Sequence, residues 1–287
     1  MQDMQADNGN PLKKYFRQPK IYIPLPSGGN YYPEGALEIT ENGEYPVYAM
    51  TAKDEIMMKT PDALISGQAT VEVIQSCMPN IKNAWHIPTL DLDAVLIAIR
   101  IATYGETMEI DVDTPVTKEE KSYSVDMRRM LDDVSSGSFE DTIYLNEMTL
   151  NIKPMSYKEF TQNSLKTFEE QRVFNVLNNE DIPDQEKMNV FNTAFRNLTD
   201  MTIASIENSI VSIQLDGQTV SNHIHIKEFI ENADKDVFRT IVKHVETQRE
   251  KFVIKPITIA ATPEEIEKGV PETYSVPITF DASNFFA

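Results

Sequence analysis

The chain has a single cysteine, Cys77, so a disulfide within the chain is excluded. The run Val71-Glu72-Val73-Ile74-Gln75-Ser76-Cys77-Met78 around it is largely apolar, and no partner base is identifiable. That setting points to a buried structural thiol rather than a nucleophile. A chain without disulfides suits a reducing cytosol. No run of about 18 apolar residues is present, so a membrane-spanning helix is not expected. Residues 1–10 lack an apolar core and do not read as a signal peptide.

Basic residues are also scarce. Lysine and arginine total 26 against 45 aspartates and glutamates, giving a net charge of −19 and a pI near 4.6. Such a field repels a phosphate backbone, so direct nucleic-acid binding is not expected. It keeps the chain soluble and steers it toward a basic partner.

The groups that do chemistry are missing in recognisable arrangement. There are four histidines, His86, His223, His225 and His244. His223 and His225 alternate in an apparent strand, which would put both on one face. A solvated face is the commoner outcome, and no metal ligand is assigned. HExxH, CxxC and GxSxG do not occur. The Gly28-Gly29 pair lacks the Lys-Ser/Thr ending of a phosphate loop. Glu109, Asp111 and Asp113 alternate along a strand and read as a solvent face rather than an acid/base pair. No catalytic, cofactor-binding or metal-binding residue is therefore assigned.

What is present is an ordinary globular composition: 287 residues, 41% hydrophobic and 25% charged. That supports one large domain or two smaller ones with a real core. Ile21, Ile23 and Leu25 alternate as a strand before the turn Pro26-Ser27-Gly28-Gly29-Asn30. A strand over residues 44–50 leads into a helix capped by Thr51, with Asp54 at the capping-box position. A further helix starts at Pro61-Asp62 and stops at Pro79, and residues 80–90 form a loop containing Trp85 and His86. Asp91 is expected to cap a helix that is apolar on every side and so buried. Residues 107–127 read as a hairpin with a charged tip, and residues 128–141 as a polar link.

The order then repeats loosely. Strands over 142–153 precede a helix capped by Ser156. Residues 184–213 contain a long amphipathic helix with Met188, Phe191, Phe195, Leu198, Ile203 and Ile206 at helical spacings. A strand or turn and a helical turn occupy 219–232, Asp234 opens a further helix, and residues 252–280 form a second hairpin. Residues 47–54 align with residues 152–159, which leaves duplication and chance both open. The expected fold is α+β: two weakly similar lobes of helices on short antiparallel strands, each with a protruding hairpin. The expected divisions are an arm over 1–20, lobes over 21–130 and 140–280, and a tail over 281–287.

Three segments carry a family resemblance: residues 22–33 (YIPLPSGGNYYP), residues 46–83 and residues 90–110. In order they give a Pro-Ser-Gly turn with an aromatic, a Met50-Thr51-x-x-Asp54-Glu55 helix, a helix bearing Cys77, and a helix with Asp93, Ile97, Arg100, Tyr104 and Gly105. Arg100 sits one position early in the spacing. This pattern resembles the T4-type bacteriophage baseplate hub and hub assembly proteins, best over residues 21–113 and loosely over 140–287. The ending Phe280-Asp281-Ala282-Ser283-Asn284-Phe285-Phe286 also looks like those of such tail proteins. Some relatives carry Cys-Pro-x-Cys at the hairpin tip; here Asp113-Thr114-Pro115-Val116 stands there, so a zinc role is not carried over.

The resemblance implies a non-enzymatic structural part of the tail baseplate, with other baseplate and tail proteins, or a second copy, as partners. It implies residence in the host cytoplasm during assembly and in the virion tail afterwards. The alternative is a transient hub assembly chaperone absent from the virion; a metal-binding or enzymatic soluble protein is a second. The contact residues expected from terminal position and aromatic content are Lys13, Lys14, Tyr15, Phe16 and Arg17 in the arm, and Phe280, Phe285 and Phe286 in the tail.

Overall fold

The computed structural model describes residue 12 and residues 15–60, 66–171 and 183–278. Among them every strand pairing is antiparallel, and helices and small sheets alternate along the chain, so the fold is α+β. The first half holds β1 (Pro19–Pro24), β2 (Glu44–Tyr48), α1 (Ala52–Met58), α2 (Gln68–Cys77), α3 (Thr89–Tyr104), β3 (Thr107–Asp113), β4 (Glu120–Asp126) and α4 (Met127–Ser135). The second holds β5 (Thr142–Leu145), β6 (Met148–Ile152), α5 (Tyr157–Gln171), α6 (Asp184–Ser209), β7 (Ile210–Leu215), β8 (Gln218–Val220), α7 (His223–Asn232), α8 (Lys235–Glu250), β9 (Ile257–Ala260), α9 (Pro263–Glu267) and β10 (Thr273–Val276).

Helix α3 is the axis of the first core. Twelve of its sixteen residues are buried, because Leu, Val, Ile and Ala fall on all sides of it. The β1–β2 pair, α1, α2 and α4 surround it. Asp91 does not cap this helix, as the sequence suggested. The helix starts three residues earlier than such a cap would give, at Thr89, with Pro88 at the cap position, and Asp91 lies inside the first turn, fully buried.

Most of residues 128–141, read as a polar link, belong instead to helix α4, which spans Met127–Ser135. Asp126 caps it by accepting from Arg128 N and Arg129 N. Met127, Met130, Leu131 and Val134 recur at i, i+3, i+4 and i+7 and are buried beneath an otherwise charged surface. Polar composition hid that stripe.

The second core lies under a four-stranded sheet of order β5-β6-β7-β8. Leu150 pairs with Ile143 on one side and Ile213 on the other, and all three are buried. Helices α7 and α8 and the end of α6 cover this face. The long helix expected within residues 184–213 runs from Asp184 to Ser209, and residues 210–215 are strand β7. Asp216 and Gly217 then make a two-residue turn, with φ of 50° and 75°, into β8. An Asp-Gly pair between strands is a strong hairpin signal that the sequence reading passed over.

Both halves use the same local device. Thr51 and Asp54 form a capping box after β2, and Ser156 and Glu159 form one after β6. Each contributes about 1 kcal/mol to its helix. Thr262 and Glu265 form a third at α9. The hairpins β3–β4 and β9–β10 pack on each other through Val112, Ile259, Val270 and Tyr274. Across that contact Tyr123 and Tyr274 hydroxyls meet at 3.0 Å and Lys121 pairs with Glu265 at 2.8 Å. The Lys121 ammonium, with the Thr262 backbone and hydroxyl, holds the Glu265 carboxyl down at about 2.

Candidate functional site

The Pro-Ser-Gly turn is strapped to the central helix. Ser27 donates to Asp91 twice, from its backbone N–H at 2.7 Å and its hydroxyl at 2.6 Å, and the Tyr32 hydroxyl donates at 2.9 Å. Gly28 and Gly29 take φ of 63° and 84°, which lets the chain turn back; Gly29 N–H donates to the Ser27 hydroxyl at 3.0 Å. The two glycines thus serve a turn and not an anion. Burial pushes Asp91 up to about 6, against the Ser27 and Tyr32 bonds that pull it down.

Arg17, expected as a partner contact, turns into its own domain. Its guanidinium donates to Ala49 O at 2.5 Å, to Ser76 O at 2.5 Å and to the Ser76 hydroxyl at 2.8 Å, and lies 3.5 Å from the buried Asp54 carboxylate. It therefore ties the stretch just before β1 to the end of β2 and to α2. Tyr15 and Phe16, just before it, are exposed. Lys13, Lys14, Phe280, Phe285 and Phe286 lie outside the described residues.

Cys77 sits beneath Arg17 with no exposure. Burial, helped by Asp54, raises its thiol to about 12, which suits a packing role. Arg100 is buried as well, and its Nε and Nη1 have no hydrogen-bond partner among the described residues; its guanidinium lies 4.7 Å from the Tyr104 ring centroid. Burial lowers its pKa.

Between the two cores lies a cavity of about 520 Å³. The start of α3, the β6–α5 connection, the end of α6 and the end of α8 line it, and it opens to solvent. Phe139, Phe160, Ile206, Val245, Phe252 and Ile278 give it an apolar wall. Asp93 is on that wall and accepts from Ile254 N–H at 3.3 Å. Burial raises the Asp93 carboxyl to about 6, opposed by the Ile254 bond and the Arg249 charge. Beside the cavity the halves are joined by main chain: Thr89 N–H donates to Met155 O and Tyr157 N–H to Ile87 O, both at 2.8 Å.

The long helix α6 presents Met188, Phe191 and Phe195 to solvent, with the two phenylalanine rings stacked at 6.4 Å. Helical spacing alone reads these residues as core, whereas only the later part of the helix, at Ile206, reaches the second core.

The histidines do not converge. His223 and His225 begin helix α7 instead of sharing a strand face. His223 Nε2 meets Asn208 Oδ1 at 3.2 Å, and its Nδ1 lies 3.2 Å from Glu207. His244 Nε2 meets Glu140 O at 2.9 Å. Among the described residues no three His, Cys, Asp or Glu side chains are grouped to hold a metal, and no helix is long and apolar enough to cross a membrane. Glu109, Asp111 and Asp113 stand on the exposed face of β3.

The assembled features are straps, latches and apolar surfaces: a turn tied to a buried carboxylate, an anchored Arg17, exposed aromatics and an apolar cavity. Neither comparison with curated proteins nor comparison with solved structures found a match. The family model of the T4 bacteriophage base plate protein matches residues 19–265, which span both cores, the β3–β4 hairpin and strand β9, and the chain belongs to that family.

Proposed function

We propose that this chain is a non-enzymatic structural component of the baseplate hub region that works by fitting into neighbouring tail subunits. The observation that carries the reading is the family match over residues 19–265. The surface supports it. Met188 and Phe195 are 59% and 64% exposed on one helix, and Tyr15 and Phe16 are 73% and 55% exposed beside the Arg17 anchor. Large aromatics in groups at a surface are what subunit interfaces use as anchors. The two-stranded hairpins leave outer strand edges on which a neighbour's strand could add. The excess of acidic groups favours a basic partner surface.

Quantitative mass spectrometry of purified virions tests this. A fixed copy number per particle is expected. Abundance in infected cells with absence from virions would overturn it in favour of a transient assembly chaperone. Replacing Phe191 and Phe195 with serine should leave folding intact and block incorporation into baseplates.

A further inference from the structure

Building on the structural role proposed above, we propose that the exposed stripe of α6 is a coiled-coil seam that takes an acid-edged amphipathic helix of a neighbouring subunit. Met188, Phe191, Phe195, Leu198 and Thr202 follow one another at spacings of three, four, three and four residues. That alternation is the a and d pattern of a heptad, and it holds one narrow stripe in one direction along the helix. Met188, Phe191, Phe195 and Thr202 are exposed, and Leu198 is half-buried. The side of α6 that packs inward uses other residues: Ala194 and Ile206 are buried, and Met201 meets Thr167 of α5. The seam is therefore a second apolar face and not the margin of the core.

Charge says what covers it. From Lys187 to Thr199 the only charged residues are Lys187 and Arg196, in a chain with 45 acids and 26 bases. Glu186 and Asp200 flank this stretch at f positions, on the side of the helix away from the seam. Glu170 of α5 reaches α6 at Asn197, at 2.7 Å. Asn197 is nine residues beyond Met188 and so half a turn round the helix from it. The net charge of −19 acts at long range, whereas within a Debye length of about 8 Å the edges of the seam decide. Those edges are basic, so the helix that fits carries acidic residues beside its own apolar stripe. The hydroxyls of Thr193, Thr199 and Thr202 donate to Asn189 O, Phe195 O and Leu198 O at 2.9 Å, so covering them leaves no donor unmet. A second copy fits less well. The seam is two heptads long, about 21 Å, short of the three or four that a free-standing pair needs. Two copies would also bring together two bodies of −19 and two basic edges.

The test titrates the full chain with two synthetic three-heptad helices, both with leucine at a and d. One carries glutamate and the other lysine at e and g, which keeps each from pairing with itself. Fluorescence anisotropy should show the glutamate-edged helix binding about ten-fold more tightly than the lysine-edged one, with the gap narrowing as salt rises. The Phe191→Ser, Phe195→Ser double variant should lose about ten-fold in affinity. The Lys187→Glu, Arg196→Glu double variant, its helix content checked by circular dichroism, should prefer the lysine-edged helix. Binding of neither helix, equal binding of both, or a preference that survives the charge reversal would overturn the proposal. So would a dimer of the parent chain in sedimentation equilibrium that Phe195→Ser abolishes, which would make the occupant a second copy. The virion copy number is read separately: a chain counted in virions that binds neither helix keeps its structural role and loses this seam.

Discussion

Ser27 and Asp91 are 64 residues apart in the chain and share two hydrogen bonds, 2.7 Å from the serine backbone and 2.6 Å from its hydroxyl. The pairing binds the first turn of the chain to the helix at the middle of the first core. Two of the segments that mark the family therefore meet in space. Removing the hydroxyl with Ser27→Ala should cost about 2 kcal/mol at pH 7, since a bond to an ionised, buried acceptor is lost. Urea unfolding at pH 7 reads this as a lower midpoint with an unchanged slope. The same comparison near pH 4.5, where Asp91 is protonated, should show a smaller loss.

Asp93 should make the protein more stable in mild acid. Its folded pKa of about 6 lies above the ordinary 3.8, so the folded state binds its proton more tightly than the unfolded chain. The resulting stabilisation is complete below about pH 3.8 and is lost as pH rises through about 6, amounting to roughly 3 kcal/mol. Asp93→Asn keeps an acceptor for Ile254 N–H and cannot ionise. It should raise the melting temperature at pH 7 and flatten the profile between pH 4 and 6. An unchanged profile would count against the assignment.

Arg17→Ala should lower stability by about 3 kcal/mol, because the buried Asp54 carboxylate loses its cation. Arg17→Lys should restore little. One ammonium cannot reproduce a fork that reaches Ala49 O, Ser76 O and the Ser76 hydroxyl together. Thermal unfolding of the two variants distinguishes these outcomes.

Cys77 should be silent toward Ellman's reagent in the folded protein, since its thiol is fully buried and held at about 12. One thiol per chain should react once urea unfolds it. Reaction at the native protein's full rate would contradict the burial.

Gly67→Ala should destabilise by more than 1 kcal/mol, on the order of the penalty for a side chain forced into the left-handed region. Gly67 has φ of 76°, and an added Cβ would stand 3.1 Å from Thr161 and from the Tyr157 hydroxyl. The strain and the close approach to α5 act in the same direction. A melting-temperature comparison with Gly35→Ala, where φ is 77° but none of the described residues lies within 4 Å of the added Cβ, separates them.

The sequence by itself determined what neighbours along the chain can decide. The capping boxes at Thr51 and Ser156, the cap at Asp234, the hairpin over 107–126 and the all-round burial of α3 follow from spacing and residue type. The places where that reading failed are local too: the stripe in α4 was masked by charge, and the Asp216-Gly217 turn, which lies between two assigned segments, was left unassigned. Only the tertiary structure decided what Arg17, Asp91 and Asp93 do, where the cavity lies, and that Phe191 and Phe195 face outward. Periodicity tells which side of an element is apolar, but not whether another element arrives to cover it. Hydrogen bonds across 59 or 64 residues leave no spacing in the chain to be read. They exist because packing brings the donor to the acceptor and excludes the water that would otherwise satisfy both.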